Sequence, residues 1–257
     1  MTKKERQRQI LQLLREKQTI TVENACDHLN ASPATIRRDF NELSSQGLAG
    51  KYWGGITTQN SNNYNQMTHF LDRQTKNFEE KKRIGAYAAS LVQEGDIVII
   101  DGGTTTLCMA SFLADKRIKI ITNSILIAHQ IDRERKSAVG AELFLTGGMV
   151  YPRSGLMIGP MANESLRNYY ADIAFLSAAG INSEIVSNSN QMVVETEKTI
   201  LKQSKKNVLL VDSSKFGKIS LNRMCLVNEL NMIISDNQLD QEWVSNVRHK
   251  GVKIEKV

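Results

Sequence analysis

The chain has 257 residues, 41% hydrophobic and 23% charged, the composition of a globular protein with a sizeable core, which excludes global disorder. Its 33 Lys and Arg against 27 Asp and Glu give a formal charge of +6, a mild basic bias compatible with a polyanionic partner. Residues 1–60 hold 9 basic and 6 acidic side chains, so half of the excess lies in under a quarter of the chain.

The first helix is marked by Ile10, Leu13 and Leu14 on one face among Lys and Arg residues. Thr21 is placed to cap a second helix over 22–29, with Val22, Ala25 and Leu29 at helical spacing. Ser32-Pro33, an N-cap followed by proline at the first helical position, opens a third helix that runs to about Gln46, with Gly47 as its stop. On that helix Ile36, Phe40 and Leu43 share a face, while Ala34, Arg38 and Asn41 lie opposite and Thr35 and Arg37 flank them. A small-residue, Thr/Arg/Asn front suits a DNA major groove, where arginine reads guanine bidentately. The bland alternative is a small packed bundle with solvated arginines. Residues 48–57 read as a hairpin wing, whose Lys51 and Trp53 are candidate contacts to phosphate or minor groove.

The polar run from Thr57 to Gln66 has no apolar periodicity and reads as a linker. The expected division is a helix-turn-helix domain over 1–57, a linker over 58–77 and an α/β domain over 78–257. In the last, β-branched runs at 96–100, 118–121, 142–145, 173–176, 207–211, 231–234 and 252–255 alternate with helical spacing at 80–92, 105–113 and 195–203. That alternation predicts a mostly parallel sheet covered on both faces. Ligands of such sheets sit beyond the carboxyl ends of the strands. Four polar turns follow predicted strands: Asp101-Gly102-Gly103-Thr104-Thr105-Thr106, Thr122-Asn123-Ser124, Thr146-Gly147-Gly148, and Asp212 to Gly217 with Lys215. The first is a candidate anion cradle of N–H groups and hydroxyls, although it matches neither the Walker nor the dinucleotide-binding pattern. Together the four predict a pocket for a small, polar, anionic ligand.

Arg6, Ile10 and Leu14, followed by Ser32-Pro-Ala-Thr-Ile-Arg-Arg-Asp-Phe40 and the tail Gly47-Leu-Ala-Gly-Lys-Tyr-Trp-Gly-Gly55, resemble the N-terminal signature of the DeoR family of bacterial repressors. Lys51 and Trp53 stand where that family more usually has Arg and His. The resemblance continues through Phe70-Leu-Asp-Arg73, Glu80-Lys-Lys-Arg-Ile-Gly85, the Asp101 turn, Thr122-Asn-Ser124, Thr146-Gly-Gly148, Gly159 and Asp212-Ser-Ser-Lys-Phe-Gly217. It implies a winged helix-turn-helix ahead of an α/β domain similar to ribose-5-phosphate isomerase and glucosamine-6-phosphate deaminase. It further implies a regulator, repressing by family habit, whose operator affinity changes on binding a phosphorylated sugar. Two departures bear on the ligand. Ser177-Ala-Ala-Gly180 replaces a Gly-Ala-Asp-Gly pattern, so Ala179 stands where an acid is usual; the usual glycine is also missing from 182–190, while Glu195 and Lys198 match.

Two other functions compete. An isomerase-like enzyme would need a positioned carboxylate base; Asp101 and Glu195 are available, but Asp101 is better placed to bind hydroxyls or orient its loop. An architectural protein with a purely oligomerising second domain has no need for four clustered polar turns. His28, His69, His129 and His249 are scattered, and the cysteines, Cys26, Cys108 and Cys225, show no paired spacing, so no metal, cofactor or disulfide is expected. With neither a secretory leader nor an apolar run of roughly 18–20 residues, the expectation is a cytoplasmic homo-oligomer with DNA and a phosphorylated sugar as partners and no membrane association.

Overall fold

The computed structural model describes residues 1–17, 19–52, 54–57, 73–136, 139–152 and 154–257. Contacts divide the chain into two compact units, the first reaching to Asp72 and the second built from Arg73–Tyr151 and Gly155–Val257.

The first unit contains α1 (Lys3–Lys17), α2 (Val22–Leu29) and α3 (Pro33–Ser45). A three-stranded antiparallel sheet completes it: β1 (Thr19–Thr21), β2 (Gly50–Tyr52) and β3 (Gly55–Thr57), with β3 in the middle. The sequence signals for β2 and β3 have a partner that was not anticipated, since β1 is only three residues long and carries a single buried side chain, Ile20. Local chemistry sets the helix ends. Thr21 Oγ1 accepts the Asn24 N–H at 3.1 Å and Ser32 Oγ accepts the Thr35 N–H at 3.3 Å. At the far end of α3, Gly47 adopts φ +71°, the Gly47 N–H donates to Ser44 O and the Leu48 N–H to Leu43 O. That pair of bonds is a Schellman stop, which satisfies carbonyls the helix leaves over. Ile10, Leu14, Ile20, Ala25, Leu29, Ile36, Phe40, Leu43 and Ile56 form the core. Asp39, 1% exposed, is neutralised by the Arg6 guanidinium, which ties α3 to α1.

The second unit is organised by a seven-stranded, wholly parallel sheet: β4 (Ile97–Ile100), β5 (Lys119–Thr122), β6 (Glu142–Leu145), β9 (Ile173–Leu176), β12 (Asn207–Leu210), β14 (Met232–Ser235) and β15 (Lys253–Lys256). Their order is β15-β14-β12-β9-β4-β5-β6. The chain thus runs outward one way from β4, then returns to β9 on the other side of β4 and runs outward again. Between β4 and β9 the order reverses, and a crevice opens at such a reversal beyond the strand ends. Alternate residues serve opposite faces: Ile99, Ala174 and Leu209 enter one core, Val98, Ile100, Phe175 and Leu210 the other.

The covering helices are α4 (Phe78–Ser90), α5 (Thr104–Leu107), α6 (Ala110–Leu113), α7 (Ile125–Glu134), α8 (Pro160–Arg167), α9 (Gln191–Lys202) and α10 (Gln241–His249). The helix expected over 105–113 is two short turns, because Cys108 N and Met109 N bond three residues back to Thr105 O and Thr106 O. The helix expected from 195 begins at Gln191, where Asn190 Oδ1 accepts the Met192 and Val193 N–H groups at 2.9 and 3.2 Å. Two small antiparallel assemblies were not foreseen. One is the ribbon β7 (Met149–Tyr151) with β8 (Leu156–Ile158); the other joins β10 (Gly180–Ile181), β11 (Ile185–Asn188) and β13 (Asn222–Leu226).

Candidate DNA-reading surface and sensor crevice

On α3 the buried face is Ile36, Asp39, Phe40 and Leu43. Ser32, Ala34, Arg37, Arg38 and Asn41 are exposed, and Thr35 is half-buried. The Ser32 and Thr35 hydroxyls also lie 2.9 Å apart, so the cap and one candidate contact form a single polar corner. Lys51 lies on β2; Trp53 falls outside the described residues. Arg37 borders a cavity of about 720 Å³ with Glu23, Asp27 and Pro33. The front of α3 is thus free of core duties and carries two cations, an amide and hydroxyls.

In the second unit the candidate turns align along the carboxyl edge of the sheet in the order 147–148, 123–124, 101–106 and 215, with 177–180 after β9 between the last two. At about 4.8 Å per strand, β6 and β12 are roughly 19 Å apart, too far for one small ligand to bridge directly. The middle of the row, at β4 and β9, is the reversal point.

There the side chains are tightly organised. Asp101 is fully buried, and its Oδ1 accepts the Asn123 Nδ2–H at 2.9 Å. Asn123 Oδ1 in turn accepts the Gly102 N–H at 3.0 Å. Asn123 therefore orients the turn, using one N–H and one lone pair of its amide. Packing requires Gly103, where a Cβ would fall 2.2 Å from Ser177 Oγ and 2.7 Å from its Cβ; a Cβ on Gly102 would fall 2.0 Å from Leu156 Cδ2 and displace that leucine tip. Thr106 Oγ1 donates to Gly103 O at 3.1 Å, and Ser124 Oγ caps α7 by accepting the Ile127 N–H at 3.3 Å. Among the described residues, no protein acceptor takes the N–H groups of Gly103, Thr104, Thr105 and Thr106. Four consecutive backbone donors are thus uncommitted. Thr104 and Gly103 are half-buried, while Thr105 is buried. Gly147 and Gly148 turn the chain at φ +69° and +107°, conformations that L side chains rarely adopt.

Two strand intervals away, Lys215 sits on a tight turn, Ser213–Lys215, after β12. Burial draws its ammonium below its ordinary pKa; Asp212 opposes this, and Arg73, Lys218 and Lys76 add to it. Beneath lies Lys81, 2% exposed, whose ammonium donates to the carbonyls of Arg73 and Lys76. Asp212 is pushed upward by burial, but hydrogen bonds from Ser214 and Asn77 and the charges of Lys215 and Lys81 bring it below its ordinary value. Cations outnumber acids at this corner. Lys81 was not singled out from the sequence, although it lies in the segment Glu80-Lys-Lys-Arg-Ile-Gly85.

A second missed residue is Glu197, 1% exposed, on the apolar stripe of α9 between Val193 and Ile200. An acid inside an apolar stripe was the available signal. Its Oε1 accepts the Asn188 Nδ2–H. Ala179, where the resembled pattern has Asp, donates its N–H to Ser187 O at 3.1 Å, one residue from Asn188. No helix among the described residues is long and apolar enough to cross a membrane.

Comparison with known proteins agrees with both halves. Residues 6–62 match the DeoR-like helix-turn-helix domain and residues 76–237 the DeoR C terminal sensor domain. The chain is 30% identical over 97% of its length, and 95% of the relative's, to the HTH-type transcriptional regulator YulB of Bacillus subtilis. It is 30% identical to the lactose phosphotransferase system repressor of Staphylococcus aureus, over 96% of this chain and 97% of that one. Among solved structures, ribose 5-phosphate isomerase A from Methanocaldococcus jannaschii aligns over 55% of both chains at 17% identity, with a TM-score of 0.40. The two domain matches and the full-length relatives place the chain in the DeoR family of DNA-binding transcriptional regulators.

Proposed function

We propose that the protein is a cytoplasmic repressor of a carbohydrate-metabolism operon whose operator affinity changes when a phosphorylated sugar binds the crevice between β4 and β9. The observation that carries this reading is the pair of features at the reversal of strand order, uncommitted N–H groups at 103–106 and a turn locked by Asn123 and Asp101, with a cation-rich corner around Lys215 two strands along the same edge. Anions are held by convergent N–H groups and cations. The related lactose phosphotransferase system repressor supports a sugar-linked effector.

In this reading Ser32, Ala34, Thr35, Arg37, Arg38, Asn41, Lys51 and Trp53 meet the operator, and residues 58–77 join reader to sensor. The phosphate rests on Gly103–Thr106 within the turn 101–106, with Lys215 toward the sugar or phosphate. Asn123, Ser124, Gly147 and Gly148 shape the walls. A lone α3 reads one half-site, so the working form is a homo-oligomer on repeated or palindromic half-sites. The ligand acts by binding two arrangements of that oligomer unequally. Sealed and hydrogen-bonded, Asp101 is a poor general base, which favours sensing over isomerase chemistry. A thermal-shift screen of pentose and hexose phosphates, followed by operator-binding assays with each hit, tests the proposal. A hit that changes operator affinity is expected; turnover of a sugar phosphate that Asp101→Ala abolishes would overturn it.

A further inference from the structure

We propose that a second copy of this chain docks, about a two-fold axis near Leu145, on the outer edge of β6 and the uncharged apolar patch that continues from it. The seven-stranded sheet has two edges of opposite character. At β15 the edge carries Lys253, Glu255 and Lys256 around Ile254, with Lys253 and Glu255 paired at 2.9 Å. Charges on an edge strand guard it against pairing with another sheet. β6 lacks that guard: after Glu142 it reads Leu143-Phe144-Leu145. The Glu142 and Thr146 N–H groups donate to Ile118 O and Thr122 O on the β5 side. Alternate residues of a parallel ladder face the same neighbour, so the N–H and C=O groups of Leu143 and Leu145 point away from β5. No strand among the described residues takes them.

The apolar character continues beyond β6. Leu145, Met149, Val150, Met161 and Met192 are each 39–68% exposed, and backbone geometry draws them together. Leu145 and Met149 flank the turn at Gly147-Gly148, and Met161 Sδ lies 3.9 Å from where a Cβ on Gly147 would stand. Met149 pairs with Ile158 in the β7–β8 ribbon. Next to Ile158, Met192 Cε lies 3.6 Å from the Cβ position of Gly159. Segments 143–151, 155–163 and 185–194 contain no Asp, Glu, Lys, Arg or His, in a chain that is 23% charged. Exposed apolar residues scattered singly need no explanation, but a contiguous patch marks an interaction site. Depleted charge and enriched methionine are the composition of an interface core. Without cations the patch does not suit a nucleic acid.

The occupant is a second copy because the edge is self-complementary. An axis at Leu145, where edge and patch meet, sets two β6 edges antiparallel, and each patch then flanks the partner's edge. The turn at Gly147-Gly148 also walls the proposed crevice, so this contact is placed to feel the effector. The inference deepens the homo-oligomer of the proposed function and rests on that part of it alone.

The test is sedimentation velocity of the full chain, without ligand or DNA, from about 1 to about 100 μM, since self-association follows mass action. Wild type is expected as a dimer or a multiple of one. Met149→Glu combined with Met161→Glu puts charges into the contact from both copies and should weaken self-association about 100-fold or more, halving the mass. Both side chains lie outside the buried cores, so the melting temperature of the second unit should hold. Leu145→Cys should cross-link to its own symmetry mate with a short bismaleimide. In wild type, amide hydrogen exchange over 143–150 should slow as the chain associates. A wild type that stays monomeric would overturn the inference and the homo-oligomer together; protection of 143–150 in that monomer would assign the patch to the chain's own first unit. An associated wild type whose folded double variant keeps its mass would overturn the inference alone, leaving an oligomer built on another surface. Should the variant fail to fold, exchange decides: no protection of 143–150 in associated wild type refutes the docking edge.

Discussion

Asn123→Ala is the most direct probe of how the crevice is built. Asn123 is 1% exposed, donates to Asp101 Oδ1 at 2.9 Å and accepts from the Gly102 N–H at 3.0 Å. Truncation strips both partners at once inside a buried site. A buried polar group left unmade costs about 1–3 kcal/mol, so the two together cost roughly 2–6 kcal/mol, before any small cavity term. The assay is urea denaturation followed by Trp243 fluorescence in a Trp53→Phe background. Trp243 packs against Phe216, with centroids 5.8 Å apart, just beyond the Lys215 turn, and so reports the sensor domain. Asn123→Asp adds a further test. It keeps the shape and the acceptor for Gly102 but cannot donate while ionised, so its deficit should shrink as pH falls and the new carboxyl protonates. A loss below about 1 kcal/mol for Asn123→Ala would refute the claim that this amide locks the turn.

Arg38→Ala should weaken specific operator binding roughly 5- to 150-fold, the equivalent of about 1–3 kcal/mol for a base-reading arginine, and relax the preference at one base pair. Unchanged affinity in an electrophoretic or fluorescence titration would remove Arg38 from the reader. Thr104→Ala and Lys215→Gln should lessen the response to an effector sugar phosphate while sparing operator affinity in its absence; a full response from both would move the anion site elsewhere. Asp39→Ala strands the Arg6 guanidinium, only 14% exposed in its side chain, and should cost about 3–5 kcal/mol. Operator binding would be lost with the first unit, whereas the effector-induced thermal shift of the second should persist. Gly47→Ala forces φ +71° on an L residue and should destabilise the first unit by about 1–2 kcal/mol, read as an earlier melt of the reader.

The helix-turn-helix was legible because its signals are local. Thr21, Ser32-Pro33 and Gly47 act on backbone groups within a few residues of themselves, and the Ile36, Phe40 and Leu43 stripe fixes which face of α3 stays exposed. The parallel sheet was legible for a similar reason, since strands covered on both faces are apolar throughout. Short elements escaped: β1 holds one buried residue and β7, β8 and β10 are two or three residues long, too brief for periodicity to speak. The order of the strands was beyond the sequence altogether, because it depends on which apolar surfaces pair across long separations. That order alone puts Asp101 and Ser177 at the reversal point. It also changes what single residues mean. Gly102 and Gly103 read as openings for a ligand, but Leu156 and Ser177 press against them. Asn123 read as a ligand contact, and one N–H and one lone pair of its amide are taken inside the fold. Glu197 stands out in the sequence only as an acid inside an apolar stripe, and packing buries it with one oxygen on Asn188. Residue types and their local spacing determined the two domains and the front of α3. Which polar atoms remain free for a ligand was decided only by tertiary packing, because hydrogen-bond capacity is shared out among neighbours distant in the chain.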